Sequence, residues 1–318
     1  MSHLSSLVSR SAVLLVSSAF ALVVSACAEE SAAQHHEVAV ADETGAAEED
    51  LSALSRTYVG IRHDNRKCIS PLCGGYWVHD LNRKTLTETY VSGIDFTGSG
   101  LDEQTQGLVL GAPDGEIVLR AKLGPKETKY NTRTLQVAAA YRGLPGRLTN
   151  AGDQVFSVQN LGHVCITSPC PTYETKRVNY SATRVLSGLD LDLGGFIDAW
   201  WLLEEAGRDG ALVQGTIRNG QKLPGGVETI LDATQVFLKL PEVSSCPQFK
   251  LMACPAGSVH SYSRNEKRCI LPRECVPEAF CKMSIPICDE GYSLISWTGQ
   301  SGCAEHACDP TWIFPEQP

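Results

Sequence analysis

The chain contains 318 residues and carries a formal net charge of -9, which is distributed unevenly. Residues 1–26 carry +1, residues 27–56 carry -7, and residues 57–318 carry only -3. Because nucleic acids and anionic lipids are bound by basic patches, a main body so close to neutral argues against both partners, and we expect no nucleic acid to bind.

The N-terminus has the pattern of an export signal. A single base, Arg10, precedes a largely apolar run of about 13 residues that ends at Val24, whereas a membrane-spanning helix needs roughly 20 apolar residues. The run leads into Val24-Ser25-Ala26-Cys27, which resembles the lipobox of bacterial lipoproteins. The alternative is an ordinary signal peptide followed by an incidental cysteine.

The lipobox resemblance implies that residues 1–26 form a lipoprotein signal peptide and that Cys27 becomes the acylated first residue of the mature chain. The lipid bilayer is then a partner through Cys27. Ala28 follows, in place of the Asp that resembles an inner-membrane retention signal. We therefore expect export through the inner membrane and a lipid-anchored position at the outer membrane or cell surface.

Residues 27–56 have the composition of a tether. They contain eight acidic residues, one base and no aromatic residue. Such a segment buries too little apolar surface to offset the entropy lost on ordering, so we expect residues 27–56 to be an acidic, disordered linker.

The body begins with an internal duplication. Cys68, Cys73 and Tyr76 recur as Cys165, Cys170 and Tyr173, each 97 positions later. The segment VSGIDF at 91–96 likewise matches LSGLDL at 186–191. Matches that keep one order along the chain indicate two copies of one unit, which we place at residues 57–148 and 152–243.

Each copy predicts the same set of elements. Strand-like runs with alternating polarity flank the first cysteine pair, a helix follows, and two more strands close the unit. The helices are expected at about residues 101–110 and 196–206, where glycine or proline marks their ends. We therefore predict an α+β fold with two tandem units, each an antiparallel sheet with one covering helix, followed by a small disulfide-rich C-terminal region.

The cysteine count predicts six disulfides. Of the 13 cysteines, setting Cys27 aside leaves an even number, as expected in an oxidising compartment. The C-x4-C pairs at 68–73 and 165–170 each lie where one strand ends and the next begins, and we expect each to close a local disulfide; zinc or redox roles are the alternatives. The disulfide cysteines are Cys68, Cys73, Cys165, Cys170, Cys246, Cys254, Cys269, Cys275, Cys281, Cys288, Cys303 and Cys308.

The two predicted helices differ in their apolar surface. Aligning Leu101 with Phe196 places Trp200 at the sheet-facing position of Thr105 and predicts that Trp200 is buried in its own unit. Trp201 and Ile197 then form a second apolar flank that the first helix lacks. This flank is expected to pack on the other unit, on the tail or on a partner.

Residues 244–318 form a cysteine-rich tail of two modules with four cysteines each. Four cysteines among few aliphatic residues predict two disulfides per module, and the spacing leaves all three pairings open. The spacing resembles small secreted modules of the antistasin or trypsin-inhibitor-like kind. That resemblance makes Arg273, in the segment CILPREC, a candidate P1 residue of a protease inhibitor, and an exposed turn residue is the alternative.

The duplicated unit as a whole is similar to a domain of unknown function found in predicted bacterial lipoproteins. The segments CISPLCGGYWVHDLN and SGIDF carry this similarity. It implies no activity, substrate or catalytic residue.

The sequence contains no catalytic or cofactor motif, so we expect no catalytic residue, metal or cofactor. Our main hypothesis is a surface-tethered lipoprotein that acts as a non-enzymatic binding or structural protein, with an unknown protein or surface ligand as its partner. A protease inhibitor acting through Arg273 and an exported enzyme of unknown type are the alternatives.

Overall fold

The computed structural model describes residues 56–83, 87–147, 150, 152–191, 193, 197–240, 246–265, 267–281 and 284–313. The predicted signal peptide, the lipidation site Cys27 and the tether up to residue 55 lie outside the described residues. In the part that is described, no helix is long and apolar enough to cross a membrane.

The elements follow one another in the same order in both copies. The first copy contains β1 Thr57–His63, β2 Tyr76–Asp80, β3 Thr89–Val91, β4 Gly93–Asp95, α1 Glu103–Leu110, β5 Ile117–Leu123 and β6 Thr134–Gly143. The second contains β7 Gln154–Asn160, β8 Tyr173–Arg177, β9 Thr183–Leu186, β10 Gly188–Asp190, α2 Ala199–Gly207, β11 Arg208–Leu223 and β12 Gly226–Lys239. The tail contains β13 Ser258–Arg264, β14 Ile270–Pro277, β15 Tyr292–Thr298 and β16 Ala304–Pro310.

The predicted α+β fold class is wrong, because the described chain is mostly β. All strands of both copies join one sheet in the order β3-β2-β1-β5-β6-β12-β11-β7-β8-β9, with β4 and β10 added parallel to β6 and β12. Helices α1 and α2 are short, with only 8 and 9 residues. The alternating pattern of each copy predicts its strands but contains no signal for pairing between copies.

Read from either end, the sheet presents corresponding strands of the two copies in the same order. Its centre is the antiparallel pair β6 and β12, which are corresponding strands of the two copies. Arg142 lies opposite Leu238, while Tyr141 faces Lys239 and Gly143 faces Phe237. The two copies are therefore related by an approximate two-fold axis through the Arg142–Leu238 pair.

Two corresponding asparagines fasten the copies together near this axis. Asn82 and Asn179 adopt left-handed backbone conformations, with φ of 64° and 67°. Each side-chain amide donates to two carbonyl oxygens of the other copy, and each side-chain oxygen accepts a backbone N–H from it. Asn82 binds Val155 and Val178 at 2.7 to 3.0 Å, and Asn179 binds Tyr58 and Leu81 at 2.6 to 3.1 Å.

Two apolar clusters stabilise the sheet. The smaller one lies at the approximate axis and takes residues from both copies, namely Val118, Tyr141, Val155, Val178, Leu212 and Phe237. The larger one lies between the sheet and the helices and includes Leu119 and Leu135 of the first copy and Val213 and Leu231 of the second, all fully buried. Burial of these side chains stabilises the fold by about 1.5 to 3 kcal/mol each.

Six disulfides are present in the described chain. Cys68–Cys73 and Cys165–Cys170 close the local loops. In each tail module the first cysteine pairs with the third and the second with the fourth, giving Cys246–Cys269, Cys254–Cys275, Cys281–Cys303 and Cys288–Cys308. Each module adds one hairpin, β13–β14 or β15–β16.

The tail packs on the duplicated domain through a buried charge cluster, formed by Asp198, Arg264, Arg268 and Asp309. Arg268 is only 2% exposed and binds both aspartates, the Asp198 carboxylate at 2.7 Å. Arg264 also binds Asp309. Burial alone would raise the pKa of Asp309, but the hydrogen bonds and charges of the two arginines outweigh it and lower that pKa. Two cations and two anions thus compensate one another.

Candidate functional site

Helix α2 is positioned by its N-cap. The Asp198 carboxylate accepts a hydrogen bond from the Trp201 backbone N–H at 3.1 Å, and in the first copy Asp102 accepts one from Thr105 at 2.7 Å. Such caps satisfy backbone donors that a helix end leaves unpaired. The two caps are 96 residues apart, so Trp201 corresponds to Thr105 and Trp200 to Gln104.

The prediction that Trp200 is buried is wrong. Trp200 is 79% exposed, like Gln104 in α1, whereas Trp201 is only 9% exposed, like Thr105. Matching Leu101 with Phe196 shifts the alignment by one residue, and one residue rotates a helix face by about 100°. The cap carboxylates are the sequence signal that gives the correct register.

Trp201 points towards the tail. The Arg268 guanidinium lies over its ring, 4.4 Å from the ring centre, a favourable cation–π geometry. Ile197, which we grouped with Trp201, is half-buried and lines a different surface. Both residues belong to the larger apolar cluster, Trp201 as a buried member and Ile197 at its edge.

An apolar groove lies between β10 and α2, and Trp200 stands on its rim. The groove encloses about 470 Å³, and its apolar lining includes Leu189, Leu191, Ile197, Trp200, Leu203 and Ile230. The lining comes from β10 and the residues that follow it, from the first turns of α2 and from Ile230 of β12. Of the described residues that line the groove, Asp190 is the charged one.

Asp190, which lines the groove, belongs to an ion-pair network. Arg218 donates to Asp190 at 2.9 Å and to Asp232 at 3.1 Å, and all three side chains are about half exposed. Exposed pairs of this kind contribute about 0 to 1 kcal/mol to stability. With Asp190 held by Arg218, the groove offers an apolar floor beside a polar rim.

The first copy has a different feature, at its cysteine loop. The side chain of Asp64 is buried and accepts hydrogen bonds from Arg66 at 2.8 Å and from the Trp77 indole at 3.3 Å. The guanidinium of Arg66 lies 4.9 Å from the centre of Trp77 and 5.1 Å from that of Tyr90. The hydrogen bond from Arg66 is the main reason why the pKa of Asp64 falls to about 2.

The second copy lacks this network. In the second copy, the positions equivalent to Asp64, Arg66, Trp77 and Tyr90 are occupied, in this order, by Leu161, His163, Glu174 and Val185. The polar network is therefore specific to the first copy.

The candidate P1 residue lies in a strand. Arg273 is exposed within β14, and its Nε donates to Ser263 Oγ of β13 at 2.7 Å. Cys269 and Cys275 are bonded to Cys246 and Cys254, so no disulfide closes the segment CILPREC on itself. Arg273 therefore lies in a hairpin strand between two disulfide-bonded cysteines and not in a turn.

Comparison with known proteins gives a family but no activity. Residues 57–243 match the model of DUF6748, a domain of unknown function. An uncharacterised protein of Dictyostelium discoideum is 28% identical over 268 residues, which covers 80% of this chain and 88% of that protein. No solved structure matches the chain.

Proposed function

Because the chain belongs to the DUF6748 family, a domain of unknown function, we propose its role from the site itself: a non-enzymatic binding protein whose second copy holds an apolar group of its ligand. The observation that carries this proposal is Trp200. Its indole is 79% exposed beside a groove whose walls are already apolar.

The free energy of burial favours occupation of this groove. An exposed indole loses about 1.5 to 3 kcal/mol of stabilisation relative to a buried large apolar side chain. Tryptophan is also among the side chains that contribute most to binding interfaces. The groove volume of about 470 Å³ lies within the range of about 300 to 1,000 Å³ found for small-molecule sites.

The ion pair beside the groove predicts that the ligand also carries a polar group. Asp190 lines the groove and is ion-paired with Arg218, so this pair can orient a polar or charged substituent. The ligand class is therefore an amphipathic molecule, or a partner side chain, whose apolar part has the size of a ring or a branched aliphatic group.

The anionic dye anilinonaphthalene sulfonate, which combines apolar rings with a charged group, is a suitable probe. We expect the full chain to bind it with fluorescence enhancement, and Trp200→Gln to weaken binding about tenfold, the equivalent of about 1.4 kcal/mol. The substitution installs the residue type of the first copy, Gln104. Gln104→Ala is the matched control and should leave binding unchanged. Equal dye affinity in the wild type and Trp200→Gln would contradict the proposal.

The proposed location is a lipid-anchored position outside the inner membrane. The short apolar run, the lipobox resemblance at Cys27 and the six disulfides, which are typical of oxidising compartments, support it. In a Gram-negative host the wild type should partition into a detergent phase and Cys27→Ala into the aqueous phase. Aqueous partitioning of both forms would show that Cys27 is not lipidated.

A further inference from the structure

The two tail modules share a hairpin and a disulfide pattern but differ opposite the last cysteine. In the first module His260 of β13 pairs across the strands with Cys275 of β14. In the second module Leu294 of β15 takes the same position opposite Cys308 of β16. Each residue also lies six positions after the second cysteine of its module, Cys254 or Cys288, so the histidine takes the place of a leucine. The surroundings differ in part, because a β-bulge follows His260 and Cys275 is exposed, whereas the second hairpin is regular and Cys308 is buried.

His260 lies beside the sulfur atoms of its module. Its Nδ1 is 3.9 Å from Cys275 Sγ. The candidate ligand atoms of Cys254, His260 and Cys275 all lie within 4.8 Å of one another. A tetrahedral zinc site, with Zn–S of about 2.3 Å and Zn–N of about 2.0 Å, separates its sulfur and nitrogen ligands by about 3.5 Å. The distance from His260 Nδ1 to Cys275 Sγ is therefore close to the spacing that such a site needs. The two sulfur atoms are bonded to each other and would have to separate to about 3.8 Å.

The orientation of the ring favours a metal ligand. His260 Nε2 is 2.7 Å from the backbone oxygen of Met252. A carbonyl oxygen can only accept, so Nε2 carries the hydrogen, and in the neutral ring the lone pair is on Nδ1, facing the sulfurs. Histidines that bind metals are commonly held in this way, with the second ring nitrogen donating to a backbone carbonyl.

In the structure Cys254 and Cys275 form a disulfide, which supplies no thiolate. We propose that reduction of Cys254–Cys275 by a thiol reductant turns Cys254, Cys275 and His260 into a Zn²⁺ site. The S–S bond breaks as it takes up two electrons and two protons, and two reductant thiols are oxidised to a disulfide. Zn²⁺ then displaces one proton from each cysteine and takes Nδ1 as its third ligand and water as its fourth.

The test uses the full chain reduced with a phosphine, because thiol reductants would compete for Zn²⁺. Under these conditions the phosphine and water become the phosphine oxide as each disulfide becomes two thiols. Titration against a chromophoric zinc chelator should give one Zn²⁺ per wild-type chain that is held more tightly than the background bound by the other thiols. His260→Leu, which installs the residue of the second module, should weaken that site at least about tenfold. All cysteines remain in this variant, so background binding to thiols is matched.

The reciprocal substitution tests for a gain of function. Leu294→His should create a second Zn²⁺ site in the reduced chain, and cobalt substitution should show thiolate-to-metal absorption at both sites. The proposal is overturned by equal affinity and stoichiometry in the wild type and His260→Leu, by no added site in Leu294→His, or by equally tight binding before reduction.

Discussion

The two copies of the duplicated unit agree where they hold the sheet together and differ where they face solvent. Asn82 and Asn179 make the same reciprocal bonds across the approximate axis, and Asp102 and Asp198 cap the two helices in the same way. On the exposed helix face, by contrast, Gln104 corresponds to Trp200. Shared residues thus identify the requirements of the fold, and the differences identify the surface available for function.

A second difference supports the same division. The first copy uses Asp64, Arg66, Trp77 and Tyr90 to fix its cysteine loop, with each polar group bound within the network. The second copy has no such network, but its helix contacts the tail through Trp201 and carries the groove beside Trp200. The polar network that fixes a loop and the apolar groove that we propose as a ligand site therefore lie in different copies.

The largest effect should separate the two adjacent tryptophans. Trp201→Ala removes a buried side chain covered by Arg268, and should lower the free energy of unfolding by about 3 to 5 kcal/mol. Trp200→Ala removes an exposed side chain and should change it by less than about 0.5 kcal/mol. Urea unfolding of the full chain provides both values. Similar losses in the two variants would mean that the helix register is wrong.

The next effect concerns the contact of the second copy with the tail. Arg268→Met leaves Asp198 and Asp309 without their shared cation and should cost about 3 kcal/mol, at the lower end for a buried pair because Arg264 still binds Asp309. Arg273→Met is the control, an exposed arginine in the same hairpin that should change stability by less than about 0.5 kcal/mol. Thermal and urea unfolding should rank them in this order, and equal costs would contradict burial of the cluster.

The asparagine bonds test how far the symmetry extends. Asn82→Ala and Asn179→Ala should each cost about 2 kcal/mol, because buried backbone groups lose partners and alanine is strained at positive φ. The exposed Asn131, with φ of 59°, provides a control in which alanine adds only the backbone strain of about 1 kcal/mol. Unequal costs for Asn82 and Asn179 in urea unfolding would show that the two halves are not equivalent.

The smallest effect is a response to acid that only the first loop should show. Arg66 lowers the pKa of Asp64 to about 2 in the folded protein. The ionised Asp64 carboxylate therefore contributes fully to stability above the unfolded pKa of about 3.9. This contribution is lost as the pH falls through about 2. Hydrogen exchange of the Trp77 indole, measured from pH 5 to pH 2, should accelerate in the wild type. In Asp64→Leu, which imitates Leu161, exchange should be fast at every pH after correction for its intrinsic pH dependence.

The sequence predicts the local elements of this fold better than their assembly. The repeat offset and the alternating strands identify β1, β2, β5 and their counterparts, and the paired spacing of the cysteines predicts the local disulfides. Pairing of β6 with β12 is a contact between elements about 100 residues apart, and neither strand differs in pattern from its neighbours. Patterns of polarity specify which face of a strand is buried, but not which strand lies beside it.

A one-residue shift in the alignment of the two helices changes which tryptophan is predicted to be buried. An alignment through Leu101 and Phe196 assigns burial to Trp200, while the cap residues Asp102 and Asp198 assign it correctly to Trp201. The burial of Arg268 had no comparable signal, since the surrounding NEKRC segment is charged and typical of an exposed turn. A charge becomes buried only when partners from distant segments compensate it, and those partners are known only from the fold.

The palindromic strand order has a consequence for assembly. A polypeptide that ended after the first copy would leave β6, a strand of ten residues, as an open sheet edge, and such edges recruit further strands. In the full chain β6 pairs with β12, which is the corresponding strand of the second copy. In the fragment, β6 of a second molecule could take the place of β12 and form a homodimer with two-fold symmetry. Residues 57–147 alone should therefore sediment as a dimer, and Arg142→Pro should return them to single molecules. The present chain has the geometry of two subunits joined end to end, and the covalent connection between the copies keeps them paired at any protein concentration.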